Sequence, residues 1–122
     1  MQKKLIVLLA IVSSALLSAP AKVKAENADP IASGKALYAT NCVTCHGEKY
    51  DGQGPAGKYL TPKPRNLAVE KLKNGETKEA IASTIKNGLD GTQMVAFGKP
   101  KGALSETECN DLAAFVFSLR KH

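Results

Sequence analysis

Five consecutive residues, Cys42-Val43-Thr44-Cys45-His46, hold the densest chemistry in the chain. Two thiols two residues apart, with an imidazole directly after the second, form the signature of covalent c-type haem attachment. Each thiol adds to one porphyrin vinyl group, so two thioethers hold the ring edge. His46 follows at the place from which a ring nitrogen reaches the iron. A bare Cys-x-x-Cys also occurs in thioredoxin-like redox pairs and as half of a zinc site. Zinc needs a second ligand pair, and the rest of the chain offers only Cys109 and His122. A thioredoxin-like pair belongs after a strand in a βαβ pattern, which is absent. The pentapeptide is read as a haem site, and such a site demands an export route, a sixth iron ligand and elements to enclose the ring.

The sixth ligand is assigned to Met94. It is the only methionine besides Met1, it lies in a glycine-flanked loop, and it follows His46 by 48 residues. That separation lets a loop and a helix pass around the haem edge. Thioether sulfur is a soft ligand, and a His/Met pair raises the iron potential in electron-transfer sites. The competing role is a flexible apolar filler of core space. Lysines are charged, and His122 is terminal.

Export is expected from the amino-terminal stretch. Lys3 and Lys4 precede an apolar run from Leu5 to Leu17, and small residues follow. This is the layout of a secretory signal peptide, and the run is short for a membrane span. Cleavage is expected after Ala25, with Ala21 as the alternative, which makes residues 1–25 the leader and 26–122 the mature domain. The expected compartment is the periplasm; a thylakoid lumen and an uncleaved amino-terminal anchor are the alternatives. The leader removes Lys3, Lys4, Lys22 and Lys24, so a formal charge of +6 from 17 basic and 11 acidic residues falls to +2. No arginine-rich patch with interleaved aromatics is present, and nucleic acid is excluded as a partner. A mature chain of 97 residues with three Tyr, three Phe and no Trp builds a modest apolar core on its own. A covalently held haem would give its helices a large flat body to pack on.

The elements that must position these residues read as helix and loop, with no alternating strand pattern and no repeat. Asp29-Pro30 is an N-cap followed by proline at the first helical position. Ile31, Gly34, Leu37 and Tyr38 share one face of the helix they open, which should run into Cys42 and end at His46-Gly47. Residues 47–66 are rich in glycine and proline, and a loop that long should wrap something, a haem face being the expected object. A short helix is expected over 68–74, ending at Gly75. Thr77 caps the next helix, which carries Ile81 and Ile85 and stops at Gly88. Ser105-Glu106-Thr107-Glu108 reads as a capping box with Leu104 as a hydrophobic staple. The helix it opens carries Cys109, Leu112, Phe115, Val116 and Leu119 at helical spacing. Cys109 therefore lies on an apolar face, which favours a buried thiol over an intermolecular disulfide.

With these residues in place, the chain resembles a small monohaem class I cytochrome c. The resemblance rests on Gly34 to Tyr38 leading into Cys42–Gly47, on Ile85-Lys86-Asn87-Gly88 with Gly91-Thr92-Gln93-Met94, and on the closing helix from Leu104-Ser105-Glu106. It implies an all-α fold of three to five helices and loops wrapped around one haem, with Cys42, Cys45, His46 and Met94 binding the cofactor and His46 and Met94 on the iron. The family usually places proline after the methionine, and Val95 departs from that. It also crosses its first and last helices at a small residue against an aromatic ring, positions that Gly34 and Phe115 match. A proline carbonyl, Pro62 or Pro64 here, is expected to receive the proton on the far nitrogen of His46. Arg65 and Asn66 are expected near the propionates.

The function implied is one-electron shuttling, without catalysis, between redox proteins such as a dehydrogenase or cytochrome complex and an oxidase or reductase. The carrier is expected to be monomeric and free of the membrane after cleavage. A basic rim of Lys58, Lys63, Lys99 and Lys101 could steer acidic partners. Two rivals remain: a haem enzyme or gas sensor with an open sixth position, and a subunit permanently docked to a larger enzyme.

Overall fold

The computed structural model describes residues 28–120. The expected leader, its cleavage sites, Lys121 and His122 lie outside the described residues. Among the described residues four α-helices appear in order: α1 (Pro30–Asn41), α2 (Val43–His46), α3 (Lys78–Asn87) and α4 (Glu106–Leu119). A 3-10 turn covers Gly57–Tyr59. Among the described residues there is no strand, only one isolated bridge between Gly98 and Leu104.

The caps form where the side chains dictate. The Ile31 N–H donates to Asp29 Oδ1 at 3.0 Å, with Pro30 beginning α1. The Ala80 N–H donates to Thr77 Oγ1 at 3.1 Å, and Gly88 ends α3 at φ 75°. At α4 the Glu108 N–H donates to Ser105 Oγ and the Ser105 N–H donates to Glu108 Oε2, at 3.2 and 2.8 Å, so two orphan donors of the first turn are satisfied reciprocally. Leu104 and Cys109 occupy the two staple positions, and both are buried.

Two elements differ from expectation. The first helix is interrupted at Cys42, whose φ of −119° departs from the helical value while its ψ of −27° does not, so Val43–His46 form a separate turn. Residues 68–74 do not form a helix. Two turns stand there instead: one at 67–69, closed by the Ala68 N–H on Asn66 Oδ1 at 3.0 Å and the Glu70 N–H on the Asn66 carbonyl at 3.0 Å, and one at 73–74, closed by the Gly75 N–H on the Leu72 carbonyl at 3.4 Å. The segment has no continuous apolar face, and Val69 is exposed. The carboxylates of Glu70 and Glu76 accept the N–H groups of Asn66 and Leu72, a local pairing that competes with helical bonding.

Both α1 and α3 pack on α4. The α1–α4 crossing is closest at Gly34, where an added Cβ would collide with the Asp111 carbonyl oxygen and stand 2.7 Å from Phe115 Cβ. Ser33 Oγ donates to Asp111 Oδ2 at 2.7 Å beside the crossing. Tyr38, Tyr50 and Phe115 then cluster with ring centroids 5.0 to 5.7 Å apart, in edge-on and tilted arrangements that suit aromatic quadrupoles. The Tyr38 hydroxyl donates to the Gly47 carbonyl at 2.7 Å, joining α1 to the end of α2.

Cys109 is 1% exposed on the inner face of α4. Burial raises its thiol pKa, with Lys86 opposing and Glu108 and Glu106 adding to the rise. The thiol should therefore resist alkylation in the native protein and react once it is denatured, as intact mass would show; labelling of the native form would contradict the buried placement. Because the folded pKa lies above the 9.0 of an exposed thiol, its contribution to stability is complete below pH 9 and is lost as pH rises beyond it. The helix crossing gives a sharper expectation. Gly34→Ala should destabilise the fold by about 3 kcal/mol, because backbone rather than a flexible side chain meets the new methyl group. Thermal unfolding measures it, and an unchanged midpoint would mean that the helices do not cross there.

Candidate functional site

The α2 turn is clamped from behind by the loop that follows it. The N–H groups of Gly52, Gly54 and Ala56 donate to the carbonyls of His46, Cys45 and Thr44 at 2.8, 3.1 and 2.9 Å. This answers the carbonyls that a helix end leaves unpaired. The approach is too close for side chains: a Cβ on Gly57 would strike the Cys45 carbonyl, and one on Gly54 the carbonyls of Val43 and Thr44. The glycine-rich first half of the long loop thus wraps the backbone of the turn itself. Only its second half, through Leu60, Pro62, Lys63, Pro64 and Arg65, faces the expected cofactor space.

That space is a cavity of about 630 Å³. Cys42, Cys45, His46 and Met94 all line it, from segments far apart in the chain. Its apolar walls include Ile81 and Ile85 of α3, Leu112 and Val116 of α4, and Leu67 and Phe97 from loops. Polar groups, among them Lys63, Arg65, Lys73 and Asn74, also contribute to the lining. Size and lining match those of small-molecule and cofactor sites, roughly 300–1,000 Å³ and mostly apolar. Two thiols and an imidazole from one turn, opening into apolar space, fit a thioether-bound haem. Among the described residues no group of three His, Cys, Asp or Glu could hold a metal ion, so the zinc reading has no support there.

His46 Nδ1 lies 3.1 Å from the Arg65 carbonyl oxygen. A carbonyl only accepts, so Nδ1 carries the proton and Nε2 keeps its lone pair free. Burial lowers the His46 pKa, and this hydrogen bond works in the opposite direction. The acceptor is neither Pro62 nor Pro64, although both line the cavity. The prolines shape the approach, and the carbonyl that reaches the imidazole belongs to Arg65. The Arg65 side chain pairs with Glu70 at 3.3 Å, and Asn66 uses its side-chain oxygen on the Ala68 N–H. Of the two expected propionate contacts, Arg65 lines the cavity and Asn66 is engaged in its own turn.

Met94 is half-buried in a loop fixed by short-range bonds. Its N–H donates to Thr92 Oγ1 at 3.1 Å, its carbonyl accepts the Leu89 N–H at 2.9 Å, and Thr92 Oγ1 donates to the Leu89 carbonyl at 2.7 Å. Phe97 N–H then returns to the Ile85 carbonyl at 3.0 Å, tying the loop to α3. Val95 is 63% exposed and takes no part in these bonds, so the departure from proline falls on the outer side of the loop. Of the basic rim, Lys63 lines the cavity, whereas Lys99 lines a separate small hollow beside Cys109. Lys58 stands over the exposed Tyr59 ring, 5.2 Å from its centroid.

Sequence reasoning missed two participants. The Arg65 carbonyl has no side-chain signature, and Arg120 reads in sequence only as a cation at a helix end. Its side chain is 8% exposed, and it donates to the carbonyls of Leu67 and Glu70 at 2.7 and 2.9 Å and to the Glu76 carboxylate.

Known proteins give an independent comparison. The chain is 32% identical over 91 residues to cytochrome c-554(547) of Halothiobacillus neapolitanus, spanning 73% of this chain and 96% of that one. It is 32% identical over 96 residues to the Cbb3-type cytochrome c oxidase subunit CcoP of Azospirillum sp. (strain B510), spanning 79% of this chain and 31% of that subunit. A solved structure of the Kuenenia stuttgartiensis reducing HAO-like protein complex Kustc0457/Kustc0458 is similar at a TM-score of 0.61 and 27% identity, over 72% of this chain and 41% of that one. The chain thus spans nearly all of the first of these and less than half of the other two. The Cytochrome c family model matches residues 31–120, from the first turn of α1 to the end of α4. The chain belongs to the cytochrome c family, with an all-α class I fold, covalently bound haem c and electron transfer as its work.

Proposed function

We propose that the protein is an exported one-electron carrier in which Cys42 and Cys45 hold haem c by thioethers and His46 and Met94 ligate its iron. The observation that supports this most directly is that all four side chains line one apolar cavity, with the His46 tautomer set so that Nε2 is free. Bound haem c supplies an iron that alternates between ferrous and ferric states. The protein's own residues then do four things. The α2 turn fixes the ring edge; the Arg65 carbonyl orients the imidazole and raises its basicity. The braced Leu89–Met94 loop presents a soft sulfur ligand, and the apolar walls from α3 and α4 limit water access. No group for transforming a substrate is needed, and the protein is read as a carrier and not an enzyme.

Residues 1–25 are proposed to direct the chain to the periplasm and to be removed there, leaving 26–122 as the working domain. Among the described residues no helix is long and apolar enough to cross a membrane. Its partners are proposed to be redox proteins, and Lys63 and Lys73 beside the cavity would favour acidic ones. Similarity to an oxidase subunit and to a component of a HAO-like complex supports a second reading, a subunit docked to a larger enzyme. Co-purification of a fixed partner at stoichiometric ratio separates that reading from a free monomeric carrier.

Met94→Ala tests the ligand set. The oxidised wild type should show the weak sulfur-to-iron band near the red, and the variant should lose it and bind carbon monoxide readily when reduced. The midpoint potential should fall by roughly a few tenths of a volt, within the ~0.8 V range that axial ligands control. Carbon monoxide binding by the reduced wild type at neutral pH would favour an open sixth position instead.

A further inference from the structure

We propose that Arg120 is a positioning residue for His46, acting through the loop that carries its hydrogen-bond acceptor. This rests on the reading of His46 as an iron ligand. Arg120 is the last described residue, just past α4, yet its side chain is only 8% exposed. Nη1 donates to the Leu67 carbonyl at 2.7 Å, and Nη2 donates to the Glu70 carbonyl at 2.9 Å and to the Glu76 carboxylate. The two carbonyls lie two and five residues beyond Arg65. Between them, the Glu70 carboxylate turns back to accept the Asn66 N–H at 3.1 Å and Arg65 Nη1 at 3.3 Å. On the other side, the Leu67 N–H donates to the Tyr50 carbonyl at 2.8 Å.

The turn that presents the Arg65 carbonyl is therefore held by one planar fork from α4 and one bond from the loop after α2. It has no helix of its own to fix it, since residues 68–74 form none. Arginine suits this task because a rigid fork serves several acceptors at once, and an ammonium cannot reproduce that geometry. Removing the fork takes the donor away from the Leu67 carbonyl, the Glu70 carbonyl and the Glu76 carboxylate together. The expected consequence is a turn free to shift, a weaker bond from His46 Nδ1–H to the Arg65 oxygen, and an imidazole less firmly oriented.

The test uses the haem-loaded protein and follows the His46 Nδ1 proton by NMR in the ferrous state. Arg120→Met should raise the exchange rate of that proton by about tenfold, while amide protons of α1 and α3 exchange as in the wild type. Arg120→Lys should give a smaller rise and serves in place of Arg120→Met if that variant does not fold. Glu76→Gln, which spares both carbonyl bonds, should give the smallest. An unchanged His46 rate overturns the proposal, and so does a rise shared equally by the α1 and α3 amides, which would mark general loosening. Ligation is read separately: a His46 proton whose shift is unaffected by ferric iron would overturn the ligand reading and leave the exchange comparison to be judged on its own.

Discussion

The structure depends on one close approach, the crossing of α1 over α4 where Gly34 meets the Asp111 carbonyl and Phe115. Nothing larger than hydrogen fits there, and the rest of the geometry follows from that contact. The crossing fixes the direction in which α1 delivers the chain to Cys42. It also brings Tyr38 against Phe115 and Tyr50, and Tyr38 reaches on to the carbonyl that ends α2. The turn bearing both thiols and the imidazole is thereby held relative to α4, and α4 in turn supplies Leu112 and Val116 to the cavity wall. A contact remote from the haem chemistry sets the position of the groups that perform it.

The second constraint is the accounting of backbone hydrogen bonds in a chain with little regular structure. Between α2 and α3 the described chain has only one 3-10 turn, so its polar groups need partners from elsewhere. Gly52, Gly54 and Ala56 answer the carbonyls of α2, Leu67 answers Tyr50, and Arg120 answers Leu67 and Glu70. The bonds run in sequence from the attachment turn to the end of α4. This gives irregular loops a defined shape without a sheet or a long helix beneath them.

Much of this was legible in the sequence because it is written in side chains. Asp29-Pro30, Thr77, Gly88 and the Ser105–Glu108 box state their roles by residue type, and the attachment motif states its own. The Gly34 and Phe115 crossing came from resemblance and is met in the packing. What was not legible is written in the backbone. The acceptor for His46 is a carbonyl, a group every residue carries, so nothing marked Arg65 over Pro62 or Pro64. The helix expected at 68–74 failed because Glu70 and Glu76 bind backbone N–H groups locally, which depends on where the chain already turns. Arg120 reads as no more than a cation at a helix end because sequence cannot show that a side chain so near the end of the chain is enclosed.

The enclosed thiol on α4 has a consequence for how the protein is made. Three cysteines allow three different pairings, and only one residue, Cys109, must end unpaired and unmodified once Cys42 and Cys45 are spent on the cofactor. Nothing in its own chemistry protects Cys109 in an unfolded chain exposed to oxidants. Its protection is conformational, arriving when α4 docks on α1 and α3. The enclosed state is reached only once the fourteen-residue α4 has docked, so the thiol is shielded as a result of folding and not before it.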